Sequence, residues 1–305
     1  MFDPSVTIFE STQNRLAESP LWHPMLNTFY WVDINKKLLL SKKIHSESQL
    51  KIVNMPDTLS AIAWIDEQHL LLGTSTGLYK YHINSSTRHL ILNIENTQLN
   101  RRSNDGRADP WGGFWLSTMD VNAKKGDGKI YRYYKHQLKA VVSGLSIPNG
   151  LCFDKPRLRG YYCDSLTSCI YVLDLDEQTG EPCSEPRVFY QFNNTDVDPD
   201  GCVTDQLGNL WLAVWGMGCV ICLSPGGELI KTIKLCAIKP TCTAFGGKNA
   251  ELLLVTSAFD ESINNTVTEQ GAVFKISGIK NGQFEPRVLL YFIIHSACFK
   301  VMVSF

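Results

Sequence analysis

The apolar residues of this chain come in short runs, and no long window keeps them at the i, i+3, i+4, i+7 spacing of an amphipathic helix. The runs are rich in Val, Ile, Tyr, Trp and Phe. Clusters of Gly, Asn, Asp and Pro separate them, as expected of strands joined by turns. Six runs look alike: TFYWVD (28–33), HLLLGT (69–74), GFWLST (113–118), GYYCDS (160–165), NLWLAV (209–214) and ELLLVT (251–256). Each is followed by a second strand-like run: KLLLSKK, GLYKYHI, GKIYRYY, SCIYVLDL, GCVICLS and GAVFKIS. A repeat of about 40 to 50 residues filled with short strands is the signature of propeller blades. Six repeats predict an all-β fold, a six-bladed β-propeller, as one domain over residues 1–305 with an atypical tail at 285–305. SVTIFE (5–10) is the candidate for the terminal strand that closes the ring.

The repeat also sets a register. Glu18, Asn104, Asn149 and Asp200 precede Tyr30, Trp115, Tyr162 and Trp211 by nearly equal intervals, which puts all four at the start of innermost strands. The matching positions near Ser60 and Thr243 carry small hydroxyls. In a closed propeller, equivalent positions ring one mouth of the channel, so two carboxylates and two amides converge. Taken singly, ESP, PNG and PDG are turn sequences; their shared register is what points to a site. Oxygen donors of this kind suit Ca²⁺, Mg²⁺ or Mn²⁺, with Zn²⁺ as an alternative. The expectation is a divalent metal in the central channel, with open positions for water and substrate.

Composition narrows the field. Of 305 residues, 44% are hydrophobic and 19% charged, enough to bury a large core. Lys and Arg total 29 against 30 Asp and Glu, with no basic block, which argues against nucleic-acid binding. Ten cysteines are too dilute for a disulfide scaffold. The start, MFDPSVTIFE, lacks the apolar core of a secretory signal, and VLLYFII (288–294) is too short to span a bilayer. These features predict a cytoplasmic globular protein with reduced thiols and no membrane partner.

Several further motifs bear on chemistry. Arg102, beside Asn104, is suited to polyhydroxylated or anionic substrate oxygens through its fork of donors. Asp105, followed by Gly106, reads as a turn residue, and so does Asp164 in YYCDS. GTSTG (73–77) fits the nucleophile pattern of serine hydrolases, but that pattern needs a strand followed by a helix, and here it joins two strands. CVIC (219–222) has C-x-x-C spacing, yet on a strand residues i and i+3 face opposite sides.

AESPLW (17–22), RSNDGRADPWGGFWLSTM (102–119), IPNGLCFD (147–154), DPDGCVTDQLGNLWLA (198–213) and FGGKN (245–249) together resemble the senescence-marker-protein, gluconolactonase and luciferin-regenerating enzyme family. The resemblance runs in unbroken order from about residue 15 to about 280. It implies a six-bladed propeller whose channel metal serves the hydrolysis of sugar lactones. It assigns the metal to Glu18, Asn149 and Asp200, and substrate contacts to Arg102 and Asn104. Where some members place a substrate-contacting Glu, this chain has Asn122, with Asp120 nearby. The implied activity is that of a gluconolactonase-like hydrolase opening an aldonolactone, with Asp200 as general base on the attacking water. A non-catalytic calcium-binding or interaction propeller, and a metal-dependent esterase of other substrates, are the alternatives.

Overall fold

Successive side chains on a strand point to opposite faces, and here both faces are apolar. Phe114 and Leu116 enter one core cluster while Trp115 enters the next; Leu253 and Val255 divide from Leu254 in the same way. Such strands must lie between two neighbours. The computed structural model, which describes residues 4–44, 48–194, 197–261 and 269–290, shows how.

Strand β1 is Ser5–Glu10. The first blade follows as β2 Ala17–His23, β3 Thr28–Asp33, β4 Leu38–Lys43 and β5 Lys51–Asn54. The second is β6 Leu59–Asp66, β7 His69–Thr74, β8 Gly77–His82 and β9 Arg88–Asn93. The third is β10 Arg101–Ala108, β11 Phe114–Asp120, β12 Gly128–Tyr134 and β13 Gln137–Leu145. The fourth is β14 Pro148–Asp154, β15 Arg159–Asp164, β16 Cys169–Asp174 and β17 Arg187–Gln191. The fifth is β18 Asp198–Thr204, β19 Leu210–Trp215, β20 Cys219–Leu223 and β21 Leu229–Lys234. The sixth is β22 Pro240–Gly246, β23 Leu252–Ser257 and β24 Val273–Ser277.

All sheets are antiparallel, with four strands each, and β1 completes the sixth blade by pairing with β24. SVTIFE is therefore the closing strand. The fold is an all-β, six-bladed propeller; among the described residues the only helical segments are the 3-10 turns Lys155–Arg157 and Ser165–Thr167. Six core clusters fill the six interfaces between blades, such as Leu21 and Tyr30 against Ile62 and Leu72. Outer strands are exposed, and lysines punctuate them, as in Leu229–Lys234, which discourages edge pairing.

Two motif-like stretches of the repeat prove to be architectural. In ADPWGGFW, Asp109 accepts hydrogen bonds from the backbone of Trp111 and Gly113 and from the Trp115 indole at 3.0 Å. In TDQLGNLW, Asp205 holds Leu207, Asn209 and the Trp211 indole in the same way. GTSTG spans the turn between β7 and β8, a hairpin. Cys219 and Cys222 enter different core clusters and do not form a pair.

The inner strands β2, β6, β10, β14, β18 and β22 surround the channel, and all begin at one end, here called the upper end. Near that end each carries a β-bulge against its neighbour: between Glu18 and Leu21, Leu59 and Ala61, Ser103 and Gly106, Asn149 and Cys152, Pro199 and Cys202, and Pro240 and Thr243. Bulges re-aim side chains and are enriched beside functional sites. At the lower end, residues 279–290 cross the channel without forming a strand. There the Trp64 indole donates to the Glu285 carbonyl at 2.9 Å, and Val288 N donates to Trp64 O at 3.0 Å. The tail FEPRVLLYFIIHSACFKVMVSF is thus a strap as far as residue 290; residues 291–305 lie outside the described residues.

Candidate functional site

A cavity of about 270 Å³ opens at the upper mouth, and Glu18, Arg102, Asn104, Asn149 and Asp200 all line it. The register differs by one residue from a strict ring. Glu18 and Asn149 are the last paired residues before their bulges, whereas Asn104 and Asp200 lie inside theirs. The bulge geometry brings the two sets to one level. The position matching Asp200 in the sixth blade is Thr241, inside its bulge, and not Thr243. Ser19 and Gly150, which follow Glu18 and Asn149, have positive φ of 48° and 64°. A Cβ at 150 would also meet Cys163 Sγ at 2.8 Å and Asp200 O at 3.0 Å, so only glycine fits.

Hydrogen bonds fix the amides. Arg102 Nη1 donates to Asn104 Oδ1 at 2.7 Å and to Ser103 O at 3.0 Å. Asn104 Nδ2 donates to Asn149 Oδ1 at 2.7 Å and to Pro148 O at 3.1 Å. Asn149 Nδ2 donates to Ser165 Oγ at 3.0 Å, and Ser165 Oγ donates to Pro199 O at 2.8 Å. Ser165 and Asn104 together decide which way the Asn149 amide faces: nitrogen to Ser165, oxygen to Asn104. Sequence reasoning missed Ser165, because a serine after a strand carries no signal of its own.

The acids are less well satisfied. Glu18 Oε2 accepts from Ser19 N at 3.2 Å, and Asp200 Oδ1 is buried with no hydrogen-bond partner among the described residues. Burial, and next the charge of Asp105, push the Glu18 carboxyl up to about 8. Burial, and next Glu18, raise Asp200 well above the usual carboxylate range. Asp105 is more than a turn residue: its oxygens accept from Gly106 N and Leu151 N, both at 2.8 Å, tying β10 to β14 beneath the mouth. Asp164 holds the backbone of Ser146 and Ile147 and belongs to the wall. Asn122 is exposed and does not line the cavity; its backbone N–H donates to the buried Asp120.

Deeper in the channel, Arg107 is fully enclosed, paired with Glu285 of the strap and within 3.3 Å of Thr243 O. Among the described residues the channel holds the buried carboxylates Glu18, Asp105, Asp200 and Glu285 and the half-buried Asp198, against Arg107 and the half-buried Arg102. Carboxylates outnumber guanidiniums here, an imbalance that a bound cation would relieve. Among the described residues no three His, Cys, Asp or Glu side chains group as a metal cage; any cation here would rest on a mixed carboxylate–amide set. The orphaned Asp200 oxygen, the oxygen-only donors and the charge surplus all fit a hard divalent ion.

The SMP-30/Gluconolactonase/LRE-like region model matches residues 16–259. Regucalcin of Homo sapiens is 30% identical over 275 residues, covering 87% of this chain and 91% of that protein. The 6-deoxy-6-sulfogluconolactonase of Pseudomonas putida is 27% identical over 268 residues, covering 86% and 89%. Among solved structures, the calcium-binding protein regucalcin of Agrobacterium tumefaciens superimposes with a TM-score of 0.89 at 31% identity, covering 93% of this chain and 97% of that one.

Proposed function

This chain belongs to the SMP-30/gluconolactonase/LRE-like family, and from that premise we propose that it is a metal-dependent hydrolase opening a sugar lactone to its hydroxy acid. Glu18, Asn149 and Asp200 would hold one divalent cation, of Ca²⁺, Mg²⁺, Mn²⁺ or Zn²⁺. When bound it supplies Lewis-acid polarisation of the lactone carbonyl and stabilises the developing oxyanion.

The residues do the rest. Asp200 would hold the cation through one carboxylate oxygen and use the other as general base: it takes the proton of the attacking water and returns it to the ring oxygen as the acyl C–O bond breaks, which leaves the carboxylic acid and the free hydroxyl. Arg102, held by Asn104 at 2.7 Å, keeps its remaining donors for the oxygens of the lactone and orients the ring. Asn104 links that guanidinium to Asn149, so substrate grip and cation site share one wall. Asn122 stands outside the cavity, and the contact proposed for it would need the loop after β11 to close over the mouth.

The observation that carries this reading is the buried Asp200 oxygen, without a hydrogen-bond partner among the described residues, beside Glu18 in a mouth where carboxylates outnumber guanidiniums. Titration calorimetry on chelator-treated protein, paired with acid release from a lactone panel, tests it. Metal binding with recovery of turnover is expected. Full turnover by metal-free protein overturns the cation's role. Tight calcium binding with no turnover would instead support a binding propeller, in line with the calcium-binding regucalcin of Agrobacterium tumefaciens.

A further inference from the structure

The cavity at the upper mouth has a polar floor and an apolar wall. Leu16, Met119, Ile147, Leu166 and Trp215 line it beside the acids and amides. Leu166 sits on the 3-10 turn Ser165–Thr167 and is 43% exposed. Further exposed apolar side chains stand on connections at the same end: Leu99, 98% exposed, precedes β10, and Val121 and Met217 follow β11 and β19.

The wall's donors are largely engaged with each other. Asn104 donates to Pro148 O and Asn149 Oδ1, Ser165 to Pro199 O, and one Arg102 nitrogen to Ser103 O and Asn104 Oδ1. Asn122 adds nothing to the lining. A lactone with a hydroxyl on every ring carbon would press several of them against hydrocarbon, at roughly tenfold or more in affinity for each one left unpaired.

Resting on the metal-dependent lactonase reading above, and shifting its substrate away from the fully hydroxylated sugar lactone, we propose that this site selects lactones carrying an apolar substituent, with Leu16, Ile147, Leu166 and Trp215 as the residues that determine the preference. The Arg102 side of the mouth takes the polar edge of the ring, and the apolar wall of the cavity takes the hydrocarbon.

The test is kcat/KM of the metal-loaded full chain on δ-lactones whose ring bears a methyl, propyl or pentyl group, with gluconolactone as polar reference. Each methylene buried against the wall should raise kcat/KM about threefold to fourfold. Leu166→Asn and Trp215→Gln should flatten that rise. The slope is a ratio between substrates, so it does not depend on how much of a variant folds. A flat or falling series alongside brisk gluconolactone hydrolysis overturns the preference and leaves the lactonase reading standing. A rising series that both substitutions leave untouched overturns the assignment to this wall. Hydrolysis of no lactone at any metal concentration overturns both readings together.

Discussion

At the lower end of the channel, Arg107 meets Glu285, a strap covers the pair, and Gln283 Nε2 donates to Thr204 O at 3.0 Å and Oγ1 at 2.9 Å. At the upper end, Glu18 and Asp200 share a cavity open to solvent, and one oxygen of Asp200 has no hydrogen-bond partner among the described residues. The same six inner strands build both ends. The lower end neutralises its charge within the fold, which is how a buried ion pair becomes tolerable. The upper end leaves like charges together, an arrangement that destabilises the fold and is useful only if something else supplies the missing positive charge.

The sharpest way to break this comparison is to remove the base from the upper end. Asp200→Asn keeps an oxygen donor of similar size but loses the basic carboxylate. A general base contributes typically about 10²–10⁴-fold, and a drop of that order in kcat at saturating metal is expected. Glu18→Gln also removes one negative charge, yet more metal should largely restore its rate. Recovery of Asp200→Asn to near the parent rate at full occupancy would reduce Asp200 to a ligand.

At the lower end the expected effect is on stability. Arg107→Met strands Glu285 as a buried charge, which typically costs about 3–5 kcal/mol in urea unfolding. The double variant Arg107→Met with Glu285→Leu replaces a buried pair by hydrocarbon and should recover most of that loss. It also removes one charge of each sign, so the surplus at the mouth and the metal affinity should hold. A double variant whose metal binding collapses would show that the lower pair belongs to the site after all.

Much of the architecture was legible because strand runs recur and aromatic centres mark them. TFYWVD and GFWLST announced second strands, and SVTIFE announced closure, because backbone pairing leaves a period in the sequence. Glu18, Asn104, Asn149 and Asp200 stood out because oxygen donors repeated in one register. The one-residue offset among them was not legible, since a bulge absorbs a residue without changing the spacing of the runs. The pairing of Arg107 with Glu285 escaped too: it joins β10 to a strap outside the repeat, and nothing periodic links them. Asp105 looked like a turn because its partner amide, on Leu151, belongs to another blade.

A smaller effect separates grip from metal. Arg102→Ala removes a charged donor from the mouth and none of the proposed ligands. Hydrogen bonds to charged groups are worth about 1.5–3 kcal/mol, so kcat/KM should fall roughly tenfold to a hundredfold with metal occupancy retained. Parallel loss of both would place Arg102 in support of the cation. A change confined to KM would mean uniform binding and not orientation.

The smallest expected effect tests how the upper end holds its amides. Ser165 Oγ accepts from Asn149 Nδ2 at 3.0 Å and donates to Pro199 O at 2.8 Å, so it joins two neighbouring inner strands and, with Asn104, sets the direction of one proposed ligand. Ser165→Ala deletes one neutral hydrogen bond on each side, and a typical bond contributes about 1 kcal/mol. Metal affinity should therefore fall about fivefold, because the Asn149 amide regains freedom to turn. At saturating metal kcat should return to near the parent value, since Ser165 touches no reacting atom in this scheme. Calorimetric Kd and kcat against metal concentration separate the two quantities. Unchanged affinity would mean that the bulge at Gly150 and the Asn104 contact already fix the amide. A kcat that stays low at full occupancy would move Ser165 from the wall into the chemistry.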